Sequence, residues 1–245
     1  MDTGAIAALI QPFLPSPSVL ALVGPLAVVY TLAAAAVASR LRMAGRVRTA
    51  YTRKIFHFAI FTAAGALQFA WGLPAVVIFG SVVSAAVLWA VYRGDGFPLY
   101  EALARPSDAP HRTLFVLVPL ATTAAGGVLG NLLFPAVAYV GYLVCGWGDA
   151  LGEPVGTRWG LHRYRVPSLR GVPATRSLEG STAVFLAGSL AAFLGLLAAD
   201  VSGPAAAYVA IASGLAGAGA EAVSTHGLDN LTVQLAAAGV AALLI

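Results

Sequence analysis

Asp149 and Glu153 stand four residues apart in Gly146-Trp147-Gly148-Asp149-Ala150-Leu151-Gly152-Glu153-Pro154-Val155-Gly156. A helix through this segment puts both carboxylates on one face, where their oxygens suit a hard divalent cation. Gly148, Gly152, Gly156 and Gly160 recur every four residues beside them. That spacing lets either a neighbouring helix backbone or a phosphate come close. Pro154 frees backbone groups near a helix end or kink.

A basic run follows, Arg158, His162, Arg163, Arg165 and Arg170, ending in Arg176-Ser177-Leu178-Glu179-Gly180-Ser181. Arginines present forked donors to phosphate oxygens. Ser177 can cap a helix that Glu179 favours in its first turn, so a purely structural cap is the competing reading. Upstream, Arg53-Lys54-Ile55-Phe56-His57 leads into an apolar run, with Arg53 and His57 on one helical face. Downstream, Glu221 closes one apolar run and Asp229-Asn230 opens the next, either as a cap or as part of a polar pocket ringed by four acids and several arginines. No Walker-type phosphate loop occurs, and Gly217-Ala218-Gly219 sits in an apolar helix as a packing signal.

The elements that must position these groups are membrane helices. Hydrophobic residues make up 59% of the chain, charged residues 10%, and the mean hydropathy is +0.85. A bilayer core needs about 20 apolar residues per helix. Runs near 18–39, 55–71, 74–92, 113–131, 133–151, 180–199, 204–223 and 229–245 meet roughly that length. The expected fold is therefore all-α, a polytopic integral membrane helix bundle of about eight transmembrane helices, seven being the alternative count. Residues 1–17, with Asp2 in place of a positive leader region and with Pro12, Pro15 and Pro17, are expected to be an interfacial segment, and 18–245 a single transmembrane catalytic domain.

All 14 Lys and Arg residues fall within 40–54, 93–112 and 158–176. Eight spans put all three stretches on the cytoplasmic side and leave both termini outside. Eight of the ten acids share that side, Asp2 and Asp200 being the exceptions. Acids at helix ends suit a membrane enzyme meeting a soluble substrate better than an ion pathway. The basic groups form no continuous stripe, so anionic headgroups or nucleotide phosphates, and no nucleic acid, are the expected partners. One Lys beside thirteen Arg, with abundant Ala and Gly, suggests a GC-rich bacterial genome and a bacterial plasma membrane. Cys145 is alone in an apolar run and reads as a packed small residue.

Four segments together resemble the motifs of the polyprenol kinase family, which includes dolichol, phytol and farnesol kinases. They are Arg53-Lys54-Ile-Phe-His57, Gly148-Asp149-Ala-Leu-Gly152-Glu-Pro-Val-Gly156, Arg176-Ser177-Leu178-Glu179-Gly180-Ser181 and Gly227-Leu-Asp229-Asn230-Leu-Thr232, in family order over about residues 50–235. The resemblance implies transfer of the γ-phosphoryl group of CTP to a long isoprenoid alcohol at the cytoplasmic face, with Mg²⁺ or another divalent cation. Arg176 stands where these kinases usually have Lys, which alters donor geometry.

On this resemblance Asp149, Glu153 and Asp229 are the expected metal ligands. Asp149, Glu179 and Asp229 are the expected catalytic carboxylates, with Asp149 or Glu179 as base. Arg53, Lys54, His57, Arg158, Arg176, Ser177, Gly148, Gly152 and Asn230 are the expected nucleotide and phosphate contacts. Phosphatidate cytidylyltransferases share the Gly-Asp and Glu-Gly motifs more distantly, making cytidylyl transfer the alternative reaction. The stretch from Ser224 to Asp229 lacks their longer signature. A small non-enzymatic transporter is the alternative from another class.

Overall fold

Ser16 accepts a hydrogen bond from the Val19 N–H and Pro17 takes the first helical position, so the first long helix starts there. The computed structural model describes residues 10–45 and 47–245. Of the expected interfacial segment, residues 1–9 lie outside the described residues; Gln11–Phe13 form a 3-10 turn. Nine α-helices follow among the described residues: α1 Pro17–Met43, α2 Thr49–Trp71, α3 Leu73–Arg93, α4 Pro98–Leu103, α5 Leu114–Leu133, α6 Ala138–Trp159, α7 Leu178–Ala198, α8 Gly203–Val223 and α9 Asp229–Leu244. Apart from the short α4, each coincides with one of the eight expected apolar runs.

Five of them, α1, α3, α5, α7 and α8, are long and apolar enough to cross a membrane. The chain is an integral membrane protein. α9 is too short by this measure, at 16 residues. α2 and α6 have the length, but Lys54, His57 and Gln68 in one and Asp149 and Glu153 in the other dilute their hydropathy. Apolar side chains turned outward, among them Leu26, Leu32, Leu190 and Leu215, suit a lipid solvent.

Tight turns with Gly72 at φ 72° and Asp200 at φ 58° close one end of the bundle. Every described Lys and Arg lies at the other end, in helix termini or in the connections 94–113 and 160–177. The second connection is not plain loop. Arg163–Val166 (β1) pairs antiparallel with Ala174–Ser177 (β2), with Tyr164 opposite Arg176. The exposed Arg163 and Arg165 alternate with the half-buried Tyr164 and Val166, and the Tyr164 hydroxyl lies 2.8 Å from Ser181 Oγ on α7.

α6 and α7 approach closely because glycines face one another. A Cβ on Gly180 would meet the Gly152 carbonyl oxygen at 2.9 Å, and one on Gly148 would meet the Val184 carbonyl at 3.1 Å. Of the two uses open to the Gly repeat, helix packing is the one seen at Gly148. Gly152 and Gly156 pack too, and also line the cavity described next.

Candidate active site

The charged end of the bundle holds a cavity of about 330 Å³ to which α2, α6, α7, α8 and both long connections contribute walls, together with the first residue of α9. Lys54 is one of its lining residues. Its Nζ donates to Asp149 Oδ1 at 2.6 Å and lies 3.2 Å from Glu153 Oε2. The spacing of four does bring the two carboxylates to one face of α6. Glu153 Oε1 also accepts from Arg105 Nη1 at 2.8 Å, and Arg105 Nε donates to Asp108 at 3.0 Å. Burial works against the Arg105 charge, but Glu153 and Asp108 outweigh it and hold its pKa above the usual arginine value.

Arg105 Nη2 contacts His226 Nε2, whose ring stacks on Phe115 at 5.3 Å between centroids. An arginine can only donate, so His226 Nε2 accepts and its proton sits on Nδ1. Burial and the adjacent guanidinium push this imidazole down to about 3. His226 also ties two connections together, because its N–H donates to the Pro167 carbonyl at 3.0 Å.

A second set of pairs closes the opposite wall. Arg176 Nε lies 2.9 Å from Glu221 Oε1, and Arg176 Nη2 donates to Asp229 Oδ2 at 3.0 Å. Ser177 caps α7, its Oγ accepting from Gly180 N–H at 3.1 Å. Capping and site-lining are thus both true of this serine. His57 stands one turn above Arg53, its Nε2 3.4 Å from the Cys145 carbonyl and 3.5 Å from Asp149 Oδ2. Both neighbours accept, so Nε2 carries the proton. Cys145 itself is fully buried, as expected of a packed residue.

Two arginines that line the cavity each have a guanidinium nitrogen without an acceptor. Arg53 Nη1 and Arg176 Nη1 are both buried without a hydrogen-bond partner among the described residues. A buried donor left unmade is costly, and both belong to residues that line the same charged space. Anionic oxygens would satisfy them.

Of the expected site residues, Arg53, Lys54, Asp149, Gly152, Glu153, Arg176, Ser177 and Asp229 line the cavity together. Four others do not. Gly148 is consumed by packing on Val184. Asn230 and His57 line a neighbouring apolar groove instead. Arg158 is exposed and its guanidinium lies 5.1 Å above the Trp159 ring.

Glu179 also faces away, with its carboxylate 2.7 Å from His162 Nδ1. The reason is helical phase: Gly180 faces α6 and Ser181, about 100° round to one side, lines the cavity, which leaves Glu179, about 100° round to the other side, turned toward His162. Glu179 is therefore not among the residues that line the cavity. In the sequence Arg105 and Asp108 belong only to the basic stretch 93–112. Their spacing of three, a feature of many ion pairs, was the available signal.

The three carboxylates expected to hold a metal are paired with cations here. Lys54 lies between Asp149 and Glu153 while Arg176 draws Asp229 toward itself, and no three acidic, His or Cys side chains among the described residues group as a metal site. The donors still fit Mg²⁺ in its common form, one or two carboxylates completed by substrate phosphates.

No family model matches the chain, and no solved structure matches it. Among curated proteins, a phytol kinase from Synechocystis sp. is 34% identical over 193 residues, covering 78% of this chain and 77% of the relative.

Proposed function

The chain belongs to the polyprenol kinase family and is a lipid alcohol kinase, and from this premise we propose that it transfers the γ-phosphoryl group of CTP to a long-chain isoprenoid alcohol. The observation that carries the reading is a pair of arginines, Arg53 and Arg176, each with a guanidinium nitrogen left without an acceptor, that line one cavity ringed by carboxylates. We assign all eight long helices as spans, with the charged end cytoplasmic. In that arrangement every described basic residue obeys the positive-inside rule.

Phosphoryl transfer depends chiefly on in-line positioning and on neutralising charge. Arg53 and Arg176 hold phosphate oxygens through guanidinium nitrogens that have no other acceptor. Lys54 gives up part of its contact with Asp149 or Glu153 as a third cation for the phosphates. Asp149 and Asp229 would hold Mg²⁺, which supplies further neutralisation of the transferring group. Asp149 then serves as proton acceptor, because Glu179 lies outside the cavity. The alcohol oxygen bonds to the γ-phosphorus, the bond to the β–γ bridging oxygen breaks, and CDP leaves with that electron pair.

The test is incubation of the purified membrane protein with γ-labelled CTP, ATP or UTP against phytol, farnesol, undecaprenol and diacylglycerol. Label in an isoprenoid alcohol, strongest from CTP, is the expected result. Cytidylyl label in a lipid from α-labelled CTP, without γ-label, would replace the kinase reading by cytidylyl transfer.

A further inference from the structure

A second depression, of about 90 Å³, adjoins the charged cavity and shares Arg53 with it. Its walls are mostly hydrocarbon: Phe56 and Ile60 of α2, Val83 and Val87 of α3, and Phe115 and Val116 of α5. The helices make room for it. α2 and α5 are joined further along by Gln68 Nε2 donating to Asn131 Oδ1 at 3.0 Å. The groove lies between them on the charged side of that bond.

Apart from Arg53 at its mouth, the polar side chains of the groove are engaged elsewhere. Asn230 Nδ2 donates to Thr123 Oγ1 at 2.7 Å and lies 3.3 Å from the Pro119 carbonyl. His57 Nε2 has the Cys145 carbonyl. A nucleotide base placed here would leave its own donors and acceptors unmade, whereas a hydrocarbon chain loses nothing. The walls thus select an apolar occupant, and the shared Arg53 brings that occupant's end to the phosphate-binding space.

We propose that this groove between α2, α3 and α5 seats the isoprenoid chain of the acceptor alcohol, its hydroxyl end at Arg53, where the two cavities meet. The proposal rests on the kinase reading above. It fixes the direction of approach: the chain comes from the α3–α5 side, and the nucleotide from under the β1–β2 hairpin. The hydroxyl oxygen then bonds to the γ-phosphorus as its proton passes to Asp149, and the nucleoside diphosphate departs on the hairpin side. Val83 and Val87, four residues apart on α3 and both buried, set the width available to the chain.

The experiment uses the full chain in detergent with a farnesol analogue bearing a diazirine at the end remote from its hydroxyl. Photolabelled peptides are mapped by mass spectrometry, in parallel with phosphorylation of the same alcohol. Label on α3 near 83–87 or on α5 near 115–120 is expected, and competition by unmodified farnesol should remove it. Label on α7 or α8, with the alcohol still phosphorylated, overturns the groove and leaves the kinase reading intact. Groove label without phosphorylation from any nucleotide overturns the kinase reading, and with it the proposal.

Variants give an independent arm. Val83→Phe should lower kcat/KM for phytol about 10-fold or more through KM while KM for the nucleotide stays constant. Val87→Ala, which only removes bulk, should shift relative kcat/KM toward longer or more branched alcohols. A uniform fall across all alcohols, with no change in their ranking in either variant, counts against the groove.

Discussion

The Lys54–Asp149–Glu153–Arg105 chain and the Arg112–Glu101–Asp95 clamp are made of the same residue types at the same end of the bundle. Arg112 donates to Asp95 at 2.6 Å and to Glu101 at 2.8 Å, distances as short as those around Lys54. Geometry of the individual pairs does not separate the two. Their surroundings do. Asp95 is 80% exposed, whereas the side chain of Lys54 is 7% exposed and that of Asp149 11%. Arg112 also donates to the Ala104 carbonyl and covers the Tyr100 ring, so its contacts fasten the 94–113 connection to itself. Arg112 and Glu101 line neither of the two cavities described above, while the Lys54 chain has a 330 Å³ space beside it. Charge held out of water next to room for a ligand is the mark of a site; charge held at the surface is the mark of a brace.

The sharpest break between the two regions comes from Asp149. Asp149→Asn should reduce lipid phosphorylation by at least about 100-fold while the protein still inserts and extracts normally. Turnover equal to the parent protein would remove Asp149 from the chemistry. Glu101→Gln, the matching change in the brace, should leave turnover near the parent value.

Stability should divide the same way. Lys54→Met leaves two buried carboxylates without their shared cation and is expected to cost about 3–5 kcal/mol. Arg112→Met, with one partner in water, should cost roughly 1 kcal/mol or less. Thermal unfolding in detergent, followed by circular dichroism, reads both. Equal losses would mean that burial is not what distinguishes them.

Much of this arrangement could be read from residue order. The eight apolar runs became the eight long helices, and the two acids four apart on α6 met Lys54 because Arg53-Lys54 opens the antiparallel neighbour. What escaped was set by rotation about helix axes and by loop folding. Glu179 sits one residue from the Gly180 contact, yet helical phase turns it outward. Arg105 lies in a connection whose path follows from Thr49 and Thr52 bonding the Glu101 and Ala102 carbonyls. No local pattern announces such contacts. The hairpin under the cavity was hidden because four-residue strands with alternating Arg look like any basic loop. The very residues that carry the candidate site on α2 and α6 also weaken the apolar signal of those helices, which is why a hydropathy measure counts five spans.

A pH series would sharpen the comparison further. The native His226 imidazole is held near 3, against an ordinary value of 6.5. The unfolded chain therefore binds a proton below about 6.5 that the native chain refuses until about 3, so native stability falls as pH drops through that window. The wild-type thermal midpoint should decline more steeply between about pH 6.5 and 4 than that of His226→Gln. Glu101 behaves oppositely to a group strained by burial: the Arg112 hydrogen bond outweighs burial and holds its pKa low. Its contribution is present above the ordinary carboxylate range and is lost only as pH falls through that depressed value. Parallel profiles for wild type and His226→Gln would place the acid sensitivity elsewhere.

The smallest effect is expected where sequence order alone pointed to chemistry. Glu179 accepts from the His162 N–H at 3.3 Å and pairs with the His162 ring, whose side chain is 72% exposed. Both partners are on the outer side of α7, so the pair steadies the approach to β1 without touching the cavity. Glu179→Gln keeps an acceptor for the His162 N–H and should change kcat/KM for the lipid by no more than roughly threefold. Arg158→Ala, which removes only a stack on Trp159, should do no more. A loss from Glu179→Gln approaching that of Asp149→Asn would mean that α7 turns during the reaction to bring this carboxylate inward. Glu179 would then join Asp149 as a candidate proton acceptor.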